Sequence, residues 1–223
     1  MRHMIRLSTI RRNPSIGVFA GACETAAFAS ASVPEAFISD LSEALDVPVF
    51  QTDVAQTGLV GSMIAFNSAG VALPRNITGS ELNFFKEQGL NVAVIDDKPT
   101  ALGNLILAND SGAVVSTHFS SDARQAISDV LDVDVEAMNL HGLRTVGSMG
   151  VATSKGALVH AGVSEEELES IEKLLKVEID IGTVNRGIGY IRTGLIANSK
   201  GALIGRTTTS PEISRIEDAL ELL

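Results

Sequence analysis

The sequence repeats itself, and that limits the folds open to it more tightly than composition does. A polar tetrad closed by glycine recurs as Asn67-Ser68-Ala69-Gly70, Asn109-Asp110-Ser111-Gly112, Thr153-Ser154-Lys155-Gly156 and Asn198-Ser199-Lys200-Gly201, with successive glycines 42, 44 and 45 residues apart. An apolar run precedes each tetrad, as in Met63-Ile64-Ala65-Phe66 and Leu105-Ile106-Leu107-Ala108. Another follows it, as in Val71-Ala72-Leu73, Ala113-Val114-Val115, Ala157-Leu158-Val159 and Ala202-Leu203-Ile204. Two short apolar runs around a glycine-closed turn predict a β-hairpin, with the glycine expected to supply a positive φ.

Eight residues after each glycine stands a hydroxyl: Thr78, Ser120, Ser164 and Thr209. Glu81, Glu167 and Glu212 follow three residues later, and Ser32 with Glu35 makes the same pattern in the first unit. This is the capping box, so a helix is predicted at one phase in every unit. The third unit departs, with Ala123 in the glutamate slot and Asp122 beside it. Each predicted helix runs into an alternating β-branched exit strand starting at Leu45, Leu90, Leu131 or Leu175. The fifth unit ends before its exit strand, while the N-terminus carries a spare alternating segment, Ile5-Arg6-Leu7-Ser8-Thr9. The expected architecture is therefore α/β. Five strand–strand–helix–strand repeats close into a ring, because closure removes exposed sheet edges and neither end has the polar cap of an open solenoid. The units span approximately 13–54, 55–97, 98–140, 141–182 and 183–223, the last completed by strand 4–9, all within a single domain 1–223. The first fits most loosely, since Gly21 to Ala27 lacks the tetrad.

A chain of 223 residues has ample core for this without disulfide or metal staples. Its single cysteine, Cys23, excludes an internal disulfide framework and suits a reducing, cytoplasmic compartment. No apolar stretch reaches the length of a membrane span, and the N-terminus lacks the apolar core of a signal peptide. A net charge of −10 argues against generic nucleic-acid binding. The charge is uneven: residues 13–74 hold no Lys or Arg, whereas 181–209 hold Arg186, Arg192, Lys200 and Arg206 and no acid. Such segregation suits a partner of mixed charge, although solvated surface drifts in composition in the same way.

Chemistry is hard to find. His118, His141 and His160 lack metal-ligand spacing, and His3 sits in the predicted frayed start. The pair Asp96-Asp97 and the run Glu165-Glu166-Glu167 fall where carboxylates complement helix N-termini. Residues Gly182 to Gly189 are glycine-rich but open no amphipathic helix, so they make a poor dinucleotide site. Cys23 stands among alanines, as an inert thiol does. No catalytic residue, cofactor, metal site or small-molecule substrate is expected.

Certain motifs do carry a resemblance. Gly182-Thr183-Val184-Asn185-Arg186-Gly187, Ala101-Leu102-Gly103-Asn104, Asn13-Pro14-Ser15-Ile16-Gly17 and Thr208-Thr209-Ser210-Pro211-Glu212 are similar to signatures of the translation initiation factor 6 family, whose fold is the pentein β/α-propeller. The resemblance spans residues 4–223, and its short form, ending at the last helix, is similar to archaeal members. It implies a non-enzymatic anti-association factor. Such a factor binds the large ribosomal subunit on its intersubunit face, through a ribosomal protein and adjacent ribosomal RNA, and keeps the small subunit from joining. A part in large-subunit biogenesis and a monomeric state go with it. The implied contact residues are Gly17, Leu59, Val60, Ser62, Gly103, Asn104, Asn185, Arg186 and Tyr190; Ser62 stands where relatives tend to carry a basic residue. Two other readings compete. One is a guanidino-modifying pentein enzyme, disfavoured because no Cys follows Cys23 and no His follows His160. The other is an acidic adaptor unrelated to ribosomes.

Overall fold

In the computed structural model, residues 5–222 are described. Strand β1 (Ile5–Ser8) comes first. The first unit enters by a 3-10 turn, Ile16–Val18, then forms β2 (Ala20–Ala22), β3 (Ala27–Ala29), α1 (Glu35–Leu45) and β4 (Val49–Gln51). The second opens with the one-turn helix α2 (Val60–Met63), followed by β5 (Ala65–Phe66), β6 (Val71–Pro74), α3 (Gly79–Glu87) and β7 (Val92–Ile95). The third is α4 (Leu102–Leu105), β8 (Ile106–Ala108), β9 (Gly112–Val115), α5 (Ser121–Leu131) and β10 (Asp134–Ala137). The fourth is a 3-10 turn, Val146–Met149, then β11 (Gly150–Ala152), β12 (Gly156–His160), α6 (Glu165–Leu175) and β13 (Glu178–Gly182). The fifth is α7 (Ile191–Gly194), β14 (Leu195–Asn198), β15 (Gly201–Gly205) and α8 (Ser210–Ala219).

Every sheet has three strands, the first antiparallel to the middle one and the last parallel to it after the helical crossover. The fifth sheet takes its last strand from the N-terminus: β1 pairs parallel with β15 from Ile5↔Ala202 to Ser8↔Gly205. The predicted start of that strand at Met4 lies outside the described residues, as do His3 and Leu223. Inner strands of neighbouring units pack around a common axis, β14 against β2 included, so the ring is closed.

No unit buries its own helix alone. Helix α1 lies against β15, α5 against β6 and β7, α6 against β9, and α8 against β12 and β13, each helix covering the preceding sheet. The apolar core is consequently a set of clusters at the seams. Phe37, Leu41 and Leu45 of α1 meet Ile196 and Leu203 of the fifth unit. Phe28 of the first unit meets Phe66 and Phe85 of the second at ring centroid distances of 4.9 and 5.4 Å. Aromatic contacts at these separations add to area burial.

The hairpin tetrads are the clasps between units. Asn67 Nδ2 donates to Asn109 O (3.2 Å) and to Leu131 O at the end of α5 (2.8 Å). Asn109 repeats this on Thr153 O and Leu175 O, and Asn198 on Cys23 O and Leu45 O. Each buried amide thus satisfies a helix-end carbonyl that would otherwise lack a partner. The first unit lacks the tetrad but keeps the turn, with Cys23 N donating to Ala26 O at 2.9 Å.

Three sequence expectations are corrected. The tetrad glycines do not take positive φ; among described glycines only Gly89, Gly142 and Gly187 do. What excludes a side chain is proximity, since a Cβ would stand 2.3 Å from Val130 O at Gly70, 2.2 Å from Leu174 O at Gly112 and 2.0 Å from Ala219 O at Gly156. The Ser32–Glu35 box does not form: Pro34 takes the N-cap position of α1, and Ser32 Oγ instead meets Ser30 Oγ at 3.0 Å. The exit strands begin later than predicted, at Val49, Val92, Asp134 and Glu178, because the helix exits need a turn first. Asp46, Asp132 and Lys176 supply left-handed C-caps in three of them.

Candidate binding face

Each passage from the outer strand of one unit to the inner strand of the next crosses the same end of the ring. In four of the five passages the chain makes a tight reversal there closed by an isolated bridge, Ile10↔Asn13, Val54↔Thr57, Leu140↔Leu143 and Val184↔Ile188; the passage from β7 to α4 has no such bridge. The tips are left-handed, at Arg11 and Arg12, Ala55 and Gln56, His141 and Gly142, and Asn185 to Gly187. Consecutive positive φ values turn neighbouring amides toward one point, which favours an anion. The capping glutamates fill that role. Glu81 accepts from the amides of Ala55 and Gln56 as well as Thr78, at 2.8–3.0 Å. Glu167 accepts from His141 N at 2.9 Å, and Glu212 from the amides of Arg186 and Gly187. The third unit, without its glutamate, uses Asp97 from the end of the preceding unit, which accepts from Ser120 N at 2.8 Å. A capping residue read in sequence as a helix signal therefore also pins the loop of the binding face.

Glu212 shows the electrostatic consequence. Burial raises its pKa, but donation from the amides of Thr209 and Gly187 and the hydroxyls of Thr183 and Thr209 outweighs this and holds it at about 2. A pKa below the unfolded value means stability that is complete above about pH 4.5 and lost as pH falls toward about 2. We expect Glu212→Gln to lower the urea midpoint at neutral pH, and the gap to the parent to narrow steadily between pH 4.5 and 2. A gap independent of pH would remove the assigned role of this carboxylate.

Inside the circle of turns the short helices form a second, tighter ring. Gly17, Gly61, Gly103 and Gly147 stand at one position in successive units, and each backbone is pressed on the carbonyls of the unit before it. A Cβ on Gly103 would lie 2.2 Å from Gly61 O, and one on Gly147 2.4 Å from Gly103 O. The sequence reads these segments as strand starts; they are single turns because the glycines let them nest around the axis. Gly17, Gly103 and Val60 are buried within this ring. Leu59 and Tyr190, the N-cap residues of α2 and α7, are 42% and 44% exposed on it, and Ile188, which sequence reasoning passed over, is also 44% exposed. Its lone apolar character within a polar loop was the available signal.

The residues after three of these glycines, Val18, Ser62 and Asn104, are half-buried, whereas Ser148 is buried. Ser148 and Thr193 turn their hydroxyls back to Thr145 O and Tyr190 O, both at 2.7 Å. Asn104, half-buried, makes no side-chain hydrogen bond among the described residues, so its amide is open to a partner; Ser62 stands at the same position on α2. Asn185 is different. Its Nδ2 donates to Pro14 O of the first unit at 3.1 Å, its Oδ1 accepts from the Thr207 hydroxyl at 2.9 Å, and its amide donates to the Thr208 hydroxyl. It fastens the last turn to the first unit, leaving the exposed side chain of Arg186 as the outward element of that motif.

The opposite end, where the hairpins converge, carries Cys23. Burial raises its thiol pKa, a contact with Thr25 opposing this, so the thiol is held in its protonated form. Glu24 accepts from Ser154 N and Ser199 N and knits three units there. His141 and His160 stack at 5.2 Å, and His160 Nδ1 accepts from Gly162 N. Among the described residues no group of three His, Cys, Asp or Glu side chains is placed to hold a metal ion. No helix among them is long and apolar enough to cross a membrane.

A closed five-unit ring of this topology, with one end capped by glycine-nested turns, defines a pentein-type β/α-propeller. Comparison with known proteins gives the particular family. The sequence pattern of the eIF-6 family matches residues 5–219. The chain is 39% identical to translation initiation factor 6 of Pyrococcus abyssi, covering 99% of this chain and 100% of that protein. It is 42% identical to translation initiation factor 6 of Methanocaldococcus jannaschii, over 94% and 95% of the two chains. To that of Thermoplasma acidophilum it is 38% identical, over 97% and 100%. The chain belongs to the eIF-6 family of translation initiation factors.

Proposed function

We propose that this protein binds the intersubunit face of the large ribosomal subunit with its helix-ring end and, by occupying that face, keeps the small subunit from joining. The observation that carries this reading is the pairing of family membership with a rigid, small-residue face. On that face Leu59, Ile188 and Tyr190 stand exposed and the Asn104 amide is free. A flat surface of small residues with a few apolar anchors suits a macromolecular partner, because anchors near the centre of an interface dominate its affinity. The contacts are assigned to Leu59, Ser62, Asn104, Arg186 and Tyr190, supported from beneath by Gly17, Val60, Gly103 and Asn185. The partner is a ribosomal protein with adjacent ribosomal RNA; the acidic first unit steers a basic partner toward the contact. Action is by occupancy, as a cytoplasmic monomer, with a part in large-subunit biogenesis.

Sedimentation with separated ribosomal subunits tests this. The expected result is co-migration with the large subunit alone. Asn104→Ala or Tyr190→Ala should weaken that binding by about thirtyfold without lowering the melting temperature, since truncating a central contact costs about 2 kcal/mol. Glu169→Ala, exposed on α6 away from the face, should change neither. If both face variants bind as the parent does, the site lies elsewhere on the ring.

A further inference from the structure

Four units put glycine at the nesting position of the helix ring, and the fifth puts Arg192 there. Its side chain turns inward instead of outward. Nε donates to Gly61 O across the ring at 3.2 Å, and Nη2 lies 3.4 Å from where a Cβ on Gly21 would stand. The side chain is half-buried within the ring, and the guanidinium lines the axial cavities, whose walls include Ala22, Phe66, Ala108, Val151, Ala152 and Ala197.

This cation has no counter-charge. Among the described residues Arg192 makes no ion pair, and its two outer guanidinium nitrogens donate no hydrogen bond. Burial is the sole influence on its pKa, lowering it to about 10, so it stays protonated at neutral pH. Glu24 and Asp110, which line the axis at the hairpin end, are already held by Ser199 and Ser68. A half-buried cation with two undirected donors and no protein counter-charge in a narrow, largely apolar site favours a small anion beside it. The two cavities beside Arg192 are each about 20 Å³, enough for a guest the size of a water molecule but not for a carboxylate or phosphate ligand.

We propose that the axial cavity at Arg192 binds a small monovalent anion of the halide class, chloride under ordinary conditions, held by the outer guanidinium nitrogens. The anion completes the core of the ring by neutralising the cation at the helix-ring end of its axis.

Thermal unfolding at fixed ionic strength, with sodium gluconate replaced stepwise by sodium chloride, tests the proposal. Gluconate is too large to enter. At a chloride concentration about five times Kd, the parent should melt about 2–4 °C higher than in gluconate. Arg192→Lys should keep a chloride response, and Arg192→Met, which preserves bulk and removes charge, should lose it. The parent should also broaden the chloride NMR line, reversibly on adding bromide, a readout independent of whether any variant folds. Absence of that broadening, or an equal chloride response in parent and Arg192→Met, would show that water alone fills the axis and overturn the assignment.

Discussion

Deleting residues 1–10 should cost about 4 kcal/mol or more of folding stability, read as a lower urea midpoint. The deletion removes β1, whose ladder from Ile5 to Ser8 covers the edge of β15, and the bond from Ser8 Oγ to Asp40 at 2.9 Å. It also removes Ile10, 4% exposed, from the seam beneath α1. Burial of one such side chain is worth about 1.5–3 kcal/mol, and each lost ladder bond about 1 kcal/mol. Against a typical total of about 5–15 kcal/mol, that is a large share. A truncated chain with the parent's midpoint would mean the fifth sheet stands without its last strand, and ring closure would then contribute little.

Gly103→Ala should be nearly as damaging, by about 3 kcal/mol, although it adds a single methyl group. The new Cβ would meet Gly61 O at 2.2 Å and Ile64 O at 2.6 Å. Those are backbone atoms, and Gly61 cannot yield because its own Cβ position is 2.0 Å from Gly17 O and 2.3 Å from Ala20 O. Overpacking of a rigid site typically costs about 1–3 kcal/mol, and here strain would pass from unit to unit around the axis. Gly79→Ala is the control. It sits at the start of α3 with nothing within 4 Å, so alanine should be neutral or stabilise by up to about 1 kcal/mol. If the two variants melt alike, the helix ring is softer than its geometry implies.

Much of this architecture was legible because repetition averages out local ambiguity. The hydroxyl phase located the helices after Thr78, Ser120, Ser164 and Thr209, and the missing fifth exit strand pointed to Ile5–Ser8. What stayed hidden depends on contacts between units, which the pattern of a single unit does not carry. A glycine in sequence announces only the absence of a side chain. At Gly70 and Gly112 the reason is a neighbour's carbonyl, not a left-handed turn. Pro34 displaced Ser32 because a helix start can be set by a fixed φ as well as by a hydroxyl. At the candidate face, the motif around Asn185 resembles a recognition signature, yet its amide closes the ring on Pro14 O. Arg192 reads in sequence only as part of a basic stretch, because its meaning lies in the four glycines it replaces, and that equivalence emerges only when the turns are superposed around the axis.

The borrowed strand of the fifth sheet also fixes an order of events. Leu7 O accepts from the Arg206 side chain across 199 residues, and the backbone of Ile5 to Ser8 finds its strand partner in β15. During synthesis β1 can dock on α1 through Arg6 and Ser8, but its strand ladder must wait until β15 has emerged. The earlier units can dock in sequence by short-range contacts, but the final seam requires the whole loop to close. Closure entropy grows only slowly with length, whereas folding rate falls steeply when contacts are so non-local. The joining of β1 to β15 can therefore come only after β15 has been made.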